Sequence, residues 1–182
     1  MSERRPAGLR LRVIATALDF LIIAVYAVLL FGVATLLSQT TDLEEGLDSP
    51  LARDLVAFLT LILPVILYFA LQESSARQAT FGKRRAGVQV VSAVEGDRLS
   101  FPRALLRSAL KFLPWQMAHT AVFQILAGNE SASIWALSIL AQLLVVVYVL
   151  TLWLGKQHRT PYDWLAGTAV VQAPRTAAGQ SA

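Results

Sequence analysis

Residues 13–37 constrain this chain more than any other segment, because they run for 25 residues with a single charge, Asp19. A helix of that length is long enough to cross a bilayer core of about 30 Å. A carboxylate inside such a helix costs about 2.5–3.5 kcal/mol on insertion scales, so Asp19 requires a partner or a task. Arg12 precedes it by seven residues. That is close to two helical turns, which places both side chains on one face about 10 Å apart along the axis. Arg12 belongs at the headgroup level and Asp19 within the hydrocarbon.

The basic flank of this run is compatible with a signal peptide. The apolar stretch, however, far exceeds the usual core of roughly 7–15 residues, and no Ala-x-Ala site follows it, so it reads as a retained helix. Composition agrees with a membrane protein. The 182 residues are 55% hydrophobic and only 15% charged, and the apolar residues fall in blocks. There are no cysteines, which removes disulfides, thiolate metal sites and cysteine nucleophiles together.

Three further spans follow, over residues 55–72, 112–129 and 131–155. The second contains Pro64, which a membrane helix tolerates when a neighbour satisfies the freed carbonyl. The third carries Gln116, His119, Thr120 and Gln124 and is short for the bilayer core, so it borrows turns from residues 102–111, whose basic side chains snorkel. Gly128-Asn129-Glu130 reads as a hairpin between the last two spans.

Charge placement orients the bundle. Fifteen of the sixteen basic residues lie before the first span, between the second and third, or after the fourth, and only Arg53 lies on the other side, among Asp42, Glu44, Glu45, Asp48 and Asp54. The expected architecture is an all-α membrane protein. It is a four-transmembrane-helix bundle in the cell (cytoplasmic) membrane with both termini cytoplasmic. One membrane domain covers residues 9–172, with flexible tails at 1–8 and 173–182. A small cytoplasmic β-element is predicted from Gly87-Val88-Gln89-Val90-Val91, a return strand at 98–101, and a third β-prone run at 168–171. Arg103, Arg107 and Lys111, at i, i+4 and i+8, predict an interfacial amphipathic helix or the basic start of span three.

These motifs together resemble the RDD family, named for one arginine and two aspartates. Arg12, Ala15 and Asp19 match the first part of its pattern. Thr80-Phe81-Gly82-Lys83-Arg84-Arg85, with the strand after it, resembles its Gly-Lys loop, and residues 103–107 resemble the basic helix that follows. Pro161-Tyr162-Asp163-Trp164, continuing through Gly167, resembles the terminal motif and makes Asp163 the second aspartate. The family often has histidine directly before that aspartate, where this chain has Tyr162; the nearest histidine is His158. The resemblance implies an integral membrane protein of the transporter type.

Two readings stand for Asp19. In one it is the exchangeable carboxylate of a cation or proton pathway. In the other it accepts hydrogen bonds that fix the packing. Gln116, Thr120 and Gln124 form a stripe beside His119, which reads either as the far wall of that pathway or as polar glue between helices. Arg12 and Asp163 are expected to pair at the cytoplasmic surface, and Gly82 and Gly167 to serve tight turns. Lys83, Arg84, Arg85, Arg103, Arg107 and Lys111 are expected to face anionic lipid headgroups rather than nucleic acid. No metal-ligand spacing or Ser-His-Asp constellation is present, so neither cofactor nor catalysis is expected. The expected partners are the bilayer and, for so small a bundle, a second copy in a homo-oligomer. The leading functional expectation is transport of a small cation or proton-coupled solute. Its rival is a non-transporting adaptor or assembly factor for other membrane proteins.

Overall fold

The computed structural model describes residues 5–40, 48–155 and 157–174. Arg4, Asp42, Glu44, Glu45, Lys156 and Arg175 of the charge count lie outside the described residues, as do the parts of the expected tails at 1–4 and 175–182.

The described chain is mostly helical. Helix α1 is Leu9–Ser38; α2, Pro50–Ala57, continues through a π-helical stretch, Phe58–Ile62, into α3, Leu63–Glu73. A five-residue helix α4, Phe81–Arg85, leads into strand β1, Val88–Ser92. Helices α5, Phe101–Leu126, and α6, Ala132–Leu154, form a hairpin closed at Gly128, whose φ of +82° suits glycine. Helix α7, Pro161–Leu165, and strand β2, Thr168–Gln172, complete the order.

Three of these segments are long and apolar enough to cross a membrane: Leu9–Ser38, Pro50–Glu73 and Ala132–Leu154. In α1 and α6 almost all large side chains face outward, Val28, Leu29, Phe31, Val149 and Leu154 among them, a surface suited to lipid rather than to water. Helix α5 has the length of a span, but Arg103, Arg107, Lys111, Gln116, His119 and Gln124 dilute its hydropathy.

Two prolines inside helices leave a carbonyl four residues back without its N–H donor. Pro64 frees Thr60 O, and the Tyr26 hydroxyl donates to it from α1. Pro114 frees Leu110 O, and the Tyr148 hydroxyl donates to it from α6 at 2.8 Å. Each tyrosine thus ties a neighbouring helix to a kink-prone point.

The β-element is a two-stranded antiparallel sheet, β1 with β2, in the register Val90↔Val170. The pairing expected between residues 88–91 and 168–171 forms. The return strand expected at 98–101 does not: Ser100 precedes α5, and Phe101 is already helical. Pro6 bridges to Val171, Ala7 N donates to Val170 O, and Gln172 N donates to Arg5 O, so residues 5–7 edge the sheet instead of trailing from it.

Eighty residues separate two copies of one local design. Thr80, Ala86, Gly87, Val90 and Val91 recur as Thr160, Ala166, Gly167, Val170 and Val171. In each copy threonine precedes a five-residue helix, glycine turns the chain with positive φ (+67° and +63°), and a five-residue strand follows. The two strands pair with each other, so equivalent residues Val90 and Val170 sit opposite.

Apolar residues pack in two layers. One, under the sheet, joins Ala15, Ala70, Val88, Val90, Leu99, Ala104 and Val170. The second lies further along the bundle and joins Ile23, Ile62, Val65, Ile66, Phe69 and Phe112.

Candidate functional site

Beneath the sheet six charged side chains from five helices alternate in sign. Each is at most 7% exposed. Arg12 Nη2 on α1 donates to Asp163 Oδ2 at 2.7 Å. Asp163 Oδ1 meets Arg107 Nη2 at 2.9 Å and Nε at 3.0 Å, and Arg107 Nη1 reaches Glu73 Oε2 at 2.6 Å. Glu73 Oε1 faces Lys83 Nζ at 2.9 Å, an ion pair set off the line of a hydrogen bond. Lys83 Nζ then lies 3.6 Å from Asp19 Oδ2. Asp19 returns the chain to α1, seven residues from Arg12.

Local structure supplies the remaining donors. The Thr80 hydroxyl donates to Asp19 Oδ2 at 2.6 Å, and Gly82 N donates to Oδ1 at 2.8 Å, so Asp19 closes the start of α4 from another helix. That approach is possible only because residue 82 has no side chain: a Cβ there would lie 2.2 Å from Ala15 O and 2.7 Å from Asp19 Oδ1. In the second copy of the design the acid lies within its own helix. Asp163 Oδ2 accepts from the Thr160 hydroxyl at 2.9 Å and from Thr160 N at 3.3 Å. The Thr168 hydroxyl donates to Asp163 Oδ1 at 3.2 Å.

Burial alone pushes the Asp163 carboxyl up, but the Arg107 and then the Arg12 guanidinium beside it hold it well below the usual carboxylate range. Burial pushes the neighbouring Tyr162 hydroxyl up, and the Asp163 charge adds to that shift.

The Arg12–Asp163 pair forms as expected. Asp19 differs: its partners are Thr80, Gly82 and Lys83, not span three, because α4 brings backbone, hydroxyl and ammonium donors together. Gly167 sits in a tight turn with φ +63°, whereas Gly82 is helical and serves close approach. Lys83 and Arg107 turn inward to the acids, not outward to headgroups. Lys111 lies over the Phe69 ring, 3.6 Å from its centroid. Arg84, Arg85 and Arg103 stay exposed, with Arg84 donating to Gln72 and Arg85 over Phe81.

Two of the polar residues expected to line a pathway on α5 meet at a different acid. Gln116 Nε2 and the Thr120 hydroxyl donate to Asp54 at 3.0 and 2.7 Å. His119 Nε2 accepts from Trp115 Nε1 at 2.8 Å, and Gln124 Oε1 accepts from Asn129. Asp54 and Glu73 lie near opposite ends of the α2–α3 segment, so this cluster and the six-charge network are separated by the Ile23–Ile62–Phe69–Phe112 layer.

Glu73 escaped the sequence reading, where Thr80 enters only as a motif residue and Asp54 only as a loop charge. The repeated Thr–Ala-Gly–Val-Val spacing marks Thr80 and Thr160 as equivalent, and that signal points to a shared acid-capping role.

The sequence model of the RDD family matches residues 6–167. No curated protein and no solved structure matches the chain. The family match covers most of the sequence and both aspartates, and the chain belongs to the RDD family.

Proposed function

We propose, on the premise of an RDD-family membrane protein, that this chain crosses the cytoplasmic membrane four times with both termini inside and moves a small cation or proton-coupled solute. The four-span reading is supported by α5, which packs along α6 through a tight hairpin and so accompanies it across the bilayer. The orientation rests on the basic residues at the sheet end.

One observation carries the transport reading: two polar clusters lie at different depths of the same bundle, with an apolar layer between them. The inner cluster holds a lysine shared by two carboxylates, Asp19 and Glu73. An incoming alkali cation takes the place of the Lys83 ammonium at these acids, and the net charge is kept as Lys83 releases its proton to water in exchange. The layer of Ile23, Ile62, Phe69 and Phe112 is then the gate, and Asp54 with Gln116 and Thr120 receives the ion beyond it.

Proteoliposome flux under pH and alkali-cation gradients tests this reading. Wild-type flux is expected to be lost in Asp19→Asn protein that retains a folded melting profile. Unchanged flux in that variant removes Asp19 from the route. A second reading, a non-transporting adaptor or assembly factor, is favoured by the full partnering of Asp19, Glu73 and Asp163, which suits a clamp. An absence of flux with every tested ion selects it.

A further inference from the structure

Arg12, Lys83, Arg107 and Lys111 line one cavity of about 30 Å³ beneath the sheet, together with Thr16 and Tyr162. Three carboxylates face these four cations: Asp19, Glu73 and Asp163. Among the described residues one positive charge is left over. Two donors carry the surplus. Arg12 uses Nη2 on Asp163 but keeps Nη1 buried without a hydrogen-bond partner. Lys111 Nζ has no carboxylate within ion-pair distance among the described residues and rests on the rings of Phe69 and Phe112. A buried guanidinium nitrogen without a partner is unfavourable, and the half-buried Lys111 ammonium beside it has no counter-charge of its own among the described residues, so the cavity is arranged for one more negative charge.

A second cavity of about 460 Å³ adjoins the first, and Thr16, Lys111, Leu152 and Tyr162 line both. The larger one is a groove between α1, α5 and α6, walled mainly by apolar side chains such as Phe20, Trp115 and Val145. A charged end joined to an apolar channel fits a ligand of the same build. Size narrows the head further, since about 30 Å³ holds roughly two waters, which matches a carboxylate and not a bulky zwitterionic headgroup.

We infer that these joined cavities bind a long-chain carboxylate, its head between Arg12 Nη1 and Lys111 Nζ and its chain in the α1–α5–α6 groove. The carboxylate neutralises the surplus charge, and the chain replaces membrane lipid along Trp115. The site stands whether or not the protein moves ions.

Quenching of Trp115 by brominated palmitate, with the full chain in nonionic micelles, tests the inference. Saturable quenching is expected, and Trp115→Phe removes it although three other tryptophans remain. Unlabelled palmitate is expected to compete about tenfold or more better than hexadecanol, since only the acid engages the two cations. Each methylene removed from the acid weakens it about fourfold. Lys111→Met, which keeps an apolar stem on Phe69, brings acid and alcohol close to parity. Equal competition by palmitate and hexadecanol in the wild type overturns the inference, and this comparison decides even where the Lys111 variant fails to fold. Acetate or inorganic phosphate competing as well as palmitate overturns the role of the groove. A dimer that buries the groove and shields Trp115 overturns the whole assignment.

Discussion

Gly82→Ala tests the contact on which the inner cluster is built. The added Cβ would lie 2.2 Å from the Ala15 carbonyl oxygen and 2.7 Å from Asp19 Oδ1, and the first of these is backbone that cannot rotate away. Helix α4 must therefore shift, which stretches the 2.8 Å bond from Gly82 N to the Asp19 carboxylate. Overpacking of this kind costs about 1–3 kcal/mol. Loss of a hydrogen bond to a charged group costs about 1.5–3 kcal/mol more. Alanine returns about 1 kcal/mol through its helix propensity. The net loss of about 2–5 kcal/mol corresponds, for a chain of this size, to a melting temperature lowered by roughly 4–20 °C. Thermal melting in detergent measures it, with Gly8→Ala as the control because nothing lies within 4 Å of a Cβ there. Gly82→Ala protein that melts together with the wild type and the control refutes the close approach and the Asp19 partners built on it.

The reciprocal exchange Arg12→Asp with Asp163→Arg is expected to melt no higher than either single variant, because it sets a second guanidinium against Arg107; each single variant loses about 3–5 kcal/mol. Recovery in the double variant would show that Arg107 does not hold Asp163. The depressed titration of Asp163 makes its contribution complete above the unfolded value of about 3.9 and lost as pH falls from there toward the folded value. Melting followed from neutral pH downward is thus expected to stay level until about pH 4, and a loss centred near pH 6 contradicts the assignment. Tyr26→Phe and Tyr148→Phe each leave a proline-freed carbonyl without its donor, at a cost of about 1 kcal/mol each, read in the same melts. No change in either variant means that those carbonyls have other partners.

The sequence makes some of this site plain and hides the rest for physical reasons. A long apolar run with one acid fixes α1 and its buried face, and the β-branched runs at 88–91 and 168–171 locate both strands to within a residue or two. Arg12 and Asp163 are paired by topology alone, since both belong at the same membrane surface. Arg107 is harder. Arg103, Arg107 and Lys111 follow one another by four residues, but four residues turn a helix by about 400°, so the stripe drifts by about 80° from first to last. Spacing says that the three are neighbours and leaves open which one turns inward; the acids Glu73 and Asp163 settle that in favour of Arg107. Glu73 is hidden because it ends a span, where an acid is unremarkable until Lys83 and Arg107 come from elsewhere in the chain.

The six charges also say where the cluster is weakest. A buried network of this kind is stable when every member is paired, and a half-satisfied one is worse than an apolar core. The contacts of Arg107 to the acids run from 2.6 to 3.0 Å, and Arg12 adds one of 2.7 Å to Asp163. The Asp19 end differs in kind, because two neutral donors, Thr80 and Gly82, hold the carboxylate while its one ion-pair partner among the described residues, Lys83, stands 3.6 Å away. Lys83 lies closer to Glu73 than to Asp19, so displacing it keeps the contacts of Arg12 and Arg107 to Asp163 but leaves Glu73, among the described residues, with Arg107 as its ion-pair partner. Replacing Arg107 would break contacts to two acids at once. Among the described residues the cluster is therefore weakest at Asp19, whose charge is balanced by a lysine that it shares with Glu73.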